Sequence, residues 1–154
     1  MGRIETRLAE LGIILPTPMA PVANYVPYVI TGDLVVISGQ VPARDGKCAY
    51  TGKLGQEVPM EIGVQAAQLC FINLLAQLKV ACGGDLDRVR QVVRLGGFIA
   101  CTADFTLQAG VMNGASDMAV AVFDDAGRHA RTTIGVPSLP LDAAVEVEGM
   151  FRIA

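Results

Sequence analysis

The sequence predicts an α+β fold in which a mixed β-sheet carries two helices on one face. Three observations point there. Short β-branched runs occur at 28–31 and 34–38, and a longer one at 89–101; two segments, about 60–82 and 107–123, switch to helical periodicity; and the last stretch, HARTTIGVPSLPLDAAVEVEG at 129–149, returns to strand-like alternation. The order is β-β-α-β-α-β-β behind a leading helix, and helices layered on one side of a mixed sheet is the economical arrangement. At 154 residues with 52% apolar side chains, the chain suits one domain, 1–154, that can bury its own core.

Residues 3–12 read as a short amphipathic helix with Ile4, Leu8 and Leu11 on one stripe and Gly12 as its stop, an appendage docked on the domain. The segment LPTPMAPVANYVP holds Pro16, Pro18, Pro21 and Pro27, a density that no helix survives, so it runs extended and delivers Tyr25 to the first strand. Gly32-Asp33 favours a tight hairpin between the first two runs. The second run ends at Ser38-Gly39-Gln40, where Gly39 suits either a bulge or the close approach of a ligand or another backbone. Residues 42–58, with Pro42, Gly46, Gly52 and Gly55 ahead of Pro59, read as an exposed loop.

From Met60 to Cys82, Glu61, Gln65 and Gln68 form a polar stripe opposite Ile62, Ala66, Leu69, Leu74, Leu78 and Cys82, with Asn73 the exception. Gly83-Gly84 stops this helix. Residues 89–101, VRQVVRLGGFIAC, have the length of a central strand. Its less apolar face still carries Val92, Phe98 and Ala100 beside Arg94, too apolar for plain solvent, which points to burial against another subunit. Asp104 or Thr106 can cap the second helix, which contains Met112, Asn113, Met118, Val120 and Phe123; Asp124, Asp125 and Gly127 then turn the chain into the Arg131 strand.

Composition excludes several classes of function. A net charge of −3 and a pI near 5.0 argue against a constitutive nucleic-acid binder, which needs a basic surface to neutralise phosphates. Cys48, Cys70, Cys82 and Cys101 form no C-x-x-C pair and lie among apolar residues, which reads as reduced core thiols and a cytoplasmic location. With His129 the only histidine, no metal site and no cofactor are expected. Arg3, Glu5, Arg7 and Glu10 at the N-terminus are unlike a signal or transit peptide. The longest apolar run, about 66–82, is interrupted by Gln68, Asn73, Gln77 and Lys79, so no membrane span is expected.

The stretch 129–149 carries the candidate chemistry. Arg131 lies on an extended segment, Pro137 and Pro140 mark a crossing because neither can donate to a ladder, and Val145, Val147 and Gly149 alternate with Glu146 and Glu148. Two facing charges, Arg131 and Glu146, are expected. Taken alone, the residues also fit an edge hairpin whose charges are solvated.

The run from Arg131 through Leu139-Pro140 to Glu146 resembles the C-terminal signature of the reactive intermediate deaminase family (RidA, YjgF-like, once labelled L-PSP endoribonucleases). The likeness extends from about Tyr25 to the C-terminus. Tyr25 and Ser38-Gly39-Gln40 are similar to the family's N-terminal tyrosine and serine-glycine-glutamine strand end, Asn113 in DFTLQAGVMNG to the asparagine of its second helix, and Arg131, Thr133 and Glu146 to its three C-terminal site positions. Thr133 stands where many relatives carry cysteine, so no thiol chemistry is assigned there. The leading helix and the Asp124-Asp125-Ala126-Gly127 turn mark a longer-chain branch.

The resemblance implies a single YjgF-like domain of chorismate-mutase-like fold, a homotrimer, and clefts between neighbouring subunits. It implies hydrolytic deamination of reactive enamines and imines, such as 2-aminoacrylate, to 2-keto acids and ammonia, with a small imino or keto acid as partner; the ribonuclease label of some relatives gets little support from so acidic a chain. Arg131 would bind the substrate carboxylate bidentately, and Glu146 would hold or activate the attacking water. Backbone groups at Gly39 and Thr133 would anchor the amino group, with Ser38 and Asn113 also lining the pocket. Tyr25 would close the pocket, unless it only packs in the core. Two alternatives stand beside this: a non-catalytic binder of small carboxylates, and a hydrolase of another catabolic pathway using the same pocket. Glu146 discriminates against the binder, because a carboxylate repels an anionic ligand.

Overall fold

A computed structural model of the chain describes residues 1–18 and 23–154. Pro21, part of the proline-rich segment predicted to run extended, lies outside the described residues. Helix α1 (Arg3–Glu10) buries Ile4 and Leu8. Its first turn is capped from far along the chain: the N–H groups of Arg3 and Ile4 each donate to the Asp87 carboxylate at 2.8 Å, and these bonds hold that carboxyl below its ordinary value. Arg7 Nε donates to the Ala121 carbonyl at 2.7 Å, so the appendage is docked as expected. Leu11 leaves the buried stripe, because the helix has already ended before it and Gly12 turns left-handed at φ 68°.

Strands β1 (Tyr28–Thr31) and β2 (Leu34–Gln40) form the predicted hairpin, with Gly32 at φ 60° in its two-residue turn. Residues 42–58 are not the plain exposed loop their composition suggests. Asp45 and Gly46, both left-handed, join a small ribbon of β3 (Ala43–Arg44) and β4 (Lys47–Cys48). Beyond it Leu54 and Val58 enter the core, and Leu54 exchanges backbone hydrogen bonds with Ala100 and Thr102. Glycine and proline signal turns but carry no information on which apolar residues between them are buried.

Helices α2 (Met60–Ala81) and α3 (Gln108–Phe123) pack side by side on one face of the sheet, α2 over β2 and β7 and α3 over β5 and β6. Asn73 is buried and donates through Nδ2 to the carbonyls of Val41 and Ala43 at 3.0 and 3.1 Å, tying the helix to the ribbon. By length and composition α2 could cross a membrane, but most of it is buried inside the domain, which accounts for its apolar character. Neither Asp104 nor Thr106 caps α3; Leu107 occupies that position without a side-chain bond, and Asp104 accepts from Thr102 Oγ1 instead.

Strands β5 (Val89–Ala100), β6 (Ala130–Val136) and β7 (Val145–Ile153) complete a five-stranded sheet of order β1-β2-β7-β5-β6, mixed because β5 and β6 run parallel. The centre belongs to β7; β5, predicted to be central, lies one strand from the edge. Register shifts between Val89 and Gln91 and between Val92 and Arg94 insert extra residues into β5. The second shift puts fully buried Val92 on the helix face and Arg94, Phe98 and Ala100 on the other, so strict alternation misassigned Val92. Val35, Ile37, Leu95, Ile99, Val145, Val147 and Phe151 line the helix face and are buried. The opposite face is half-apolar and only partly buried, with Val36, Phe98, Met150 and half-exposed Ile134 around the charges of Arg94, Glu146 and Glu148.

The two long helices approach closely because glycine faces each from the other. A Cβ on Gly63 would lie 3.2 Å from Val111 Cγ1 on α3, and one on Gly114 would overlap the backbone carbonyl of Val64 on α2. Backbone cannot rotate away as a side chain can. Gly114→Ala is therefore expected to destabilise the fold by about 1–3 kcal/mol in urea unfolding, despite the preference of about 1 kcal/mol that alanine has within helices. Unchanged stability would mean that the α2–α3 distance is not set by that contact.

Candidate active site

The predicted site residues fall into two groups on opposite faces of the sheet. Arg131 pairs with Leu95 and Thr133 with Gly97 across the β5–β6 ladder, so both look toward the helices. Glu146 pairs with Phe98, three residues further along β5, and looks away from them. The expectation of two facing charges fails within one chain: β5 separates the two strands, and the pleat turns the side chains in opposite directions.

The arginine group is built on β6 and α3. Arg131 Nη1 donates to Asn113 Oδ1 at 2.8 Å and to Ser116 Oγ at 3.1 Å, while Nη2 donates to the Ala109 carbonyl at 3.4 Å. A guanidinium has five N–H groups, so Nε–H and one N–H on Nη2 remain without an acceptor among the described residues. Those two N–H groups suit a bidentate carboxylate. Thr133, two residues on, has its Oγ1 buried with no hydrogen-bond partner among the described residues. Gly97 beside it lacks a Cβ because Met112 fills that space: a Cβ there would lie 2.5 Å from the sulfur.

Sequence reasoning missed Ser116 and overlooked a role for His129. Ser116 Oγ lies 2.8 Å from His129 Nε2, and His129 Nδ1 lies 2.7 Å from the Gly127 carbonyl. The only signal available was the spacing of Asn113 and Ser116, which puts both on one side of a helix. Ser116, His129 and Arg131 border an open groove of about 320 Å³ with Asp117, Val120 and Arg128.

The glutamate group lies where β2 meets β7. The β2 register slips between Ile37 and Gln40, so Gly39 does sit at a bulge, and it also provides space: a Cβ there would come within 2.5 Å of Glu146 Oε1. Gly96 does the same for Glu148, which pairs with Arg94 at 3.5 Å. Ser38 Oγ donates to the Val26 carbonyl at 2.8 Å, and its N–H donates to that of Pro27, which pins the segment carrying Tyr25 to the strand end. Tyr25 is 53% exposed, so core packing is not its role. Burial first, and repulsion from Glu148 second, push the Glu146 carboxyl above its ordinary value. No donor among the described residues reaches it.

Metal-ligand reasoning from histidine and cysteine overlooked one group: Glu5, Asp85 and Asp87 have carboxylate oxygens within 4.8 Å of one another. Both Asp87 oxygens already accept the N–H groups that open α1, Asp85 accepts from the Asp87 N–H, and Glu5 lies 3.7 Å from Lys79 Nζ. The arrangement is a helix cap remote in the sheet from Arg131 and Glu146. Cys70, Cys82 and Cys101 are buried as expected, Cys48 only partly; burial raises the thiols of Cys48, Cys70 and Cys82, which keeps them protonated.

The raised Glu146 carboxyl has a consequence for stability. Its favourable contribution is complete below the ordinary carboxylate range and is lost as pH rises through the elevated native value, because the fold then holds a poorly solvated charge. Glu146→Gln, neutral throughout, should gain stability over the parent on going from pH 4 to pH 8 in thermal unfolding. A difference that shrinks with pH would mean that the native site favours the ionised form.

A family model described as "YjgF/chorismate_mutase-like, putative endoribonuclease" matches residues 5–151. Protein TCP17 of Trypanosoma cruzi is 43% identical over 153 residues, covering 99% of this chain and 95% of that protein. Among solved structures, Atu1372 of Agrobacterium tumefaciens, described as of unknown function, is 45% identical with a TM-score of 0.92, covering 98% of this chain and 92% of that one. A protein of Shewanella oneidensis described as a "putative endoribonuclease" is 36% identical with a TM-score of 0.94, covering 99% of this chain and all 100% of that one. The mixed sheet, its two covering helices and the family match agree: the chain belongs to the YjgF/chorismate mutase-like family.

Proposed function

We propose that the protein hydrolyses reactive enamines and imines, 2-aminoacrylate-like, to 2-keto acids and ammonia at a site shared between copies of the chain in a homotrimer. The observation that carries this reading is the placement of Arg131 and Glu146 on opposite sheet faces. One chain cannot present both to one small molecule, whereas a neighbouring copy can bring its Glu146 face against the Arg131 edge. The half-apolar character of that face, with Phe98, Met150 and Ile134 around the charges, supports its burial against a second copy.

In such a cleft, the free Nε and Nη2 N–H groups of Arg131 take the substrate carboxylate and fix its orientation. The imine carbon is then attacked by water whose proton passes to Glu146. Raised basicity makes that carboxylate the better acceptor; addition to the protonated imine leaves a carbinolamine, Glu146 returns the proton to its nitrogen, and the hydroxyl proton passes to the freed carboxylate as the carbonyl forms, the carbon–nitrogen bond breaks and ammonia leaves. Thr133 Oγ1, without a hydrogen-bond partner among the described residues, is a hydrogen-bonding group for the substrate, and Tyr25 covers the opening. The endoribonuclease description shared by the family model and the Shewanella relative finds no support in a chain of net charge −3.

Arg131→Lys keeps the charge but loses the planar pair of donors, so it should damage ammonia release from freshly generated 2-aminoacrylate nearly as badly as Arg131→Ala. Glu146→Gln should lower turnover by about 10²-fold while retaining 2-keto acid binding. Light scattering on a sizing column should give about three chain masses for the parent and all three variants. Mixing decides whether the site is shared. In a ring where each site takes Arg131 from one copy and Glu146 from the next, hybrids of Arg131→Ala and Glu146→Gln chains regain one intact site in three, about one-third of parental activity. Inactive hybrids would put both residues to work within one chain and overturn the shared site. Parental turnover by Glu146→Gln would remove its hydrolytic role.

A further inference from the structure

We propose that His129, acting through Ser116, is a positioning residue that holds the Arg131 guanidinium in its carboxylate-binding orientation; this rests on the reading of Arg131 as the carboxylate-binding group. A carbonyl only accepts, so His129 Nδ1, 2.7 Å from the Gly127 oxygen, is the nitrogen that carries hydrogen. In the neutral ring Nε2 is then bare, and at 2.8 Å it accepts the Ser116 hydroxyl hydrogen. A serine inside a helix ordinarily turns that hydrogen back to a carbonyl of the preceding turn. Committed to His129 instead, the hydroxyl presents its lone pairs to Arg131 Nη1 at 3.1 Å.

The far end of the chain of bonds is equally fixed. A Cβ on Gly127 would overlap the backbone of Ala119 and Val120, so the turn carrying the Gly127 carbonyl is pressed against α3. Asn113 and Ser116, one turn apart on that helix, then take both hydrogens of Nη1 and define the plane of the guanidinium, leaving Nε–H and one N–H of Nη2 without an acceptor among the described residues.

The test compares the parent protein with His129→Phe, His129→Gln and Ser116→Ala by two measurements. The first is nitrogen-15 NMR of the arginine side chains, where a held guanidinium gives separate Nη signals. The second is calorimetric binding of 2-oxobutanoate. His129→Phe and Ser116→Ala should average the Arg131 Nη signals and weaken 2-oxobutanoate about tenfold, the scale of one hydrogen bond to a charged group. His129→Gln, whose amide oxygen can reach the place of Nε2, should restore both. If His129→Phe misfolds, His129→Ala, which removes the acceptor of the Ser116 hydroxyl without adding a ring, decides the matter by the same Nη signals. Separate Nη signals in Ser116→Ala or His129→Phe overturn the inference even when the parent binds the keto acid. Failure of the parent to bind 2-oxobutanoate would overturn the carboxylate reading of Arg131 instead, and the Nη signals would still report whether His129 holds it.

Discussion

The two-residue period of β7, at the centre of the sheet, constrains everything around it. Val145, Val147 and Phe151 are fully buried under the helices, and burying three such side chains is worth on the order of 5 kcal/mol before opposing entropy. Slipping this strand by one residue would drive Glu146 and Glu148 into that core, where the cost of unpaired carboxylates far exceeds anything that repacking could recover. The register is therefore secure, and with it the outward direction of Glu146. Pairing of β5 to both β7 and β6 passes the same parity on to Arg131, which faces the helices for the same reason that Glu146 does not.

Glycine makes that parity usable. Gly39 and Gly96 lie beneath the carboxylates of Glu146 and Glu148, and any side chain at either position would push a carboxylate outward. Lying low on the sheet, Glu146 loses water and feels Glu148, and both effects raise its carboxyl. Glu148 has Arg94 as a partner and Glu146 has none among the described residues, so two glutamates only two residues apart on one strand have different surroundings.

Much of this was legible beforehand, where one local rule decided the outcome. The helix boundaries at Met60 and Gly83, the turn at Gly32-Asp33 and the alternation from Val145 onward each follow from local chemistry, and each is present. The likeness to a known family was readable from the spacing of Arg131, Leu139-Pro140 and Glu146. The failures share a cause, dependence on contacts distant in sequence. Which strand is central, where β5 bulges and whether Leu54 is buried are decided by partners elsewhere in the chain. The cap of α1 is Asp87, more than eighty residues away, and nothing near Arg3 announces it. Ser116 was missed because its significance lies in joining two residues of the turn and strand that follow α3.

A simple ion pair between Arg131 of one copy and Glu146 of the next would also explain two unlike charges on opposite sheet faces, and the protomer's own contacts argue against it. Arg131 is already held by Asn113, Ser116 and Ala109 of its own chain, and Glu146 is already seated over Gly39. A direct pair would consume the two N–H groups that Arg131 keeps free and would pull the Glu146 carboxyl down, cancelling the effect of its burial. Two opposite charges, each anchored separately and kept apart, are better matched to a third molecule that carries both signs. An imino acid, the substrate proposed above, would be such a molecule: its carboxylate would be complementary to the free edge of Arg131 and its protonated nitrogen to Glu146.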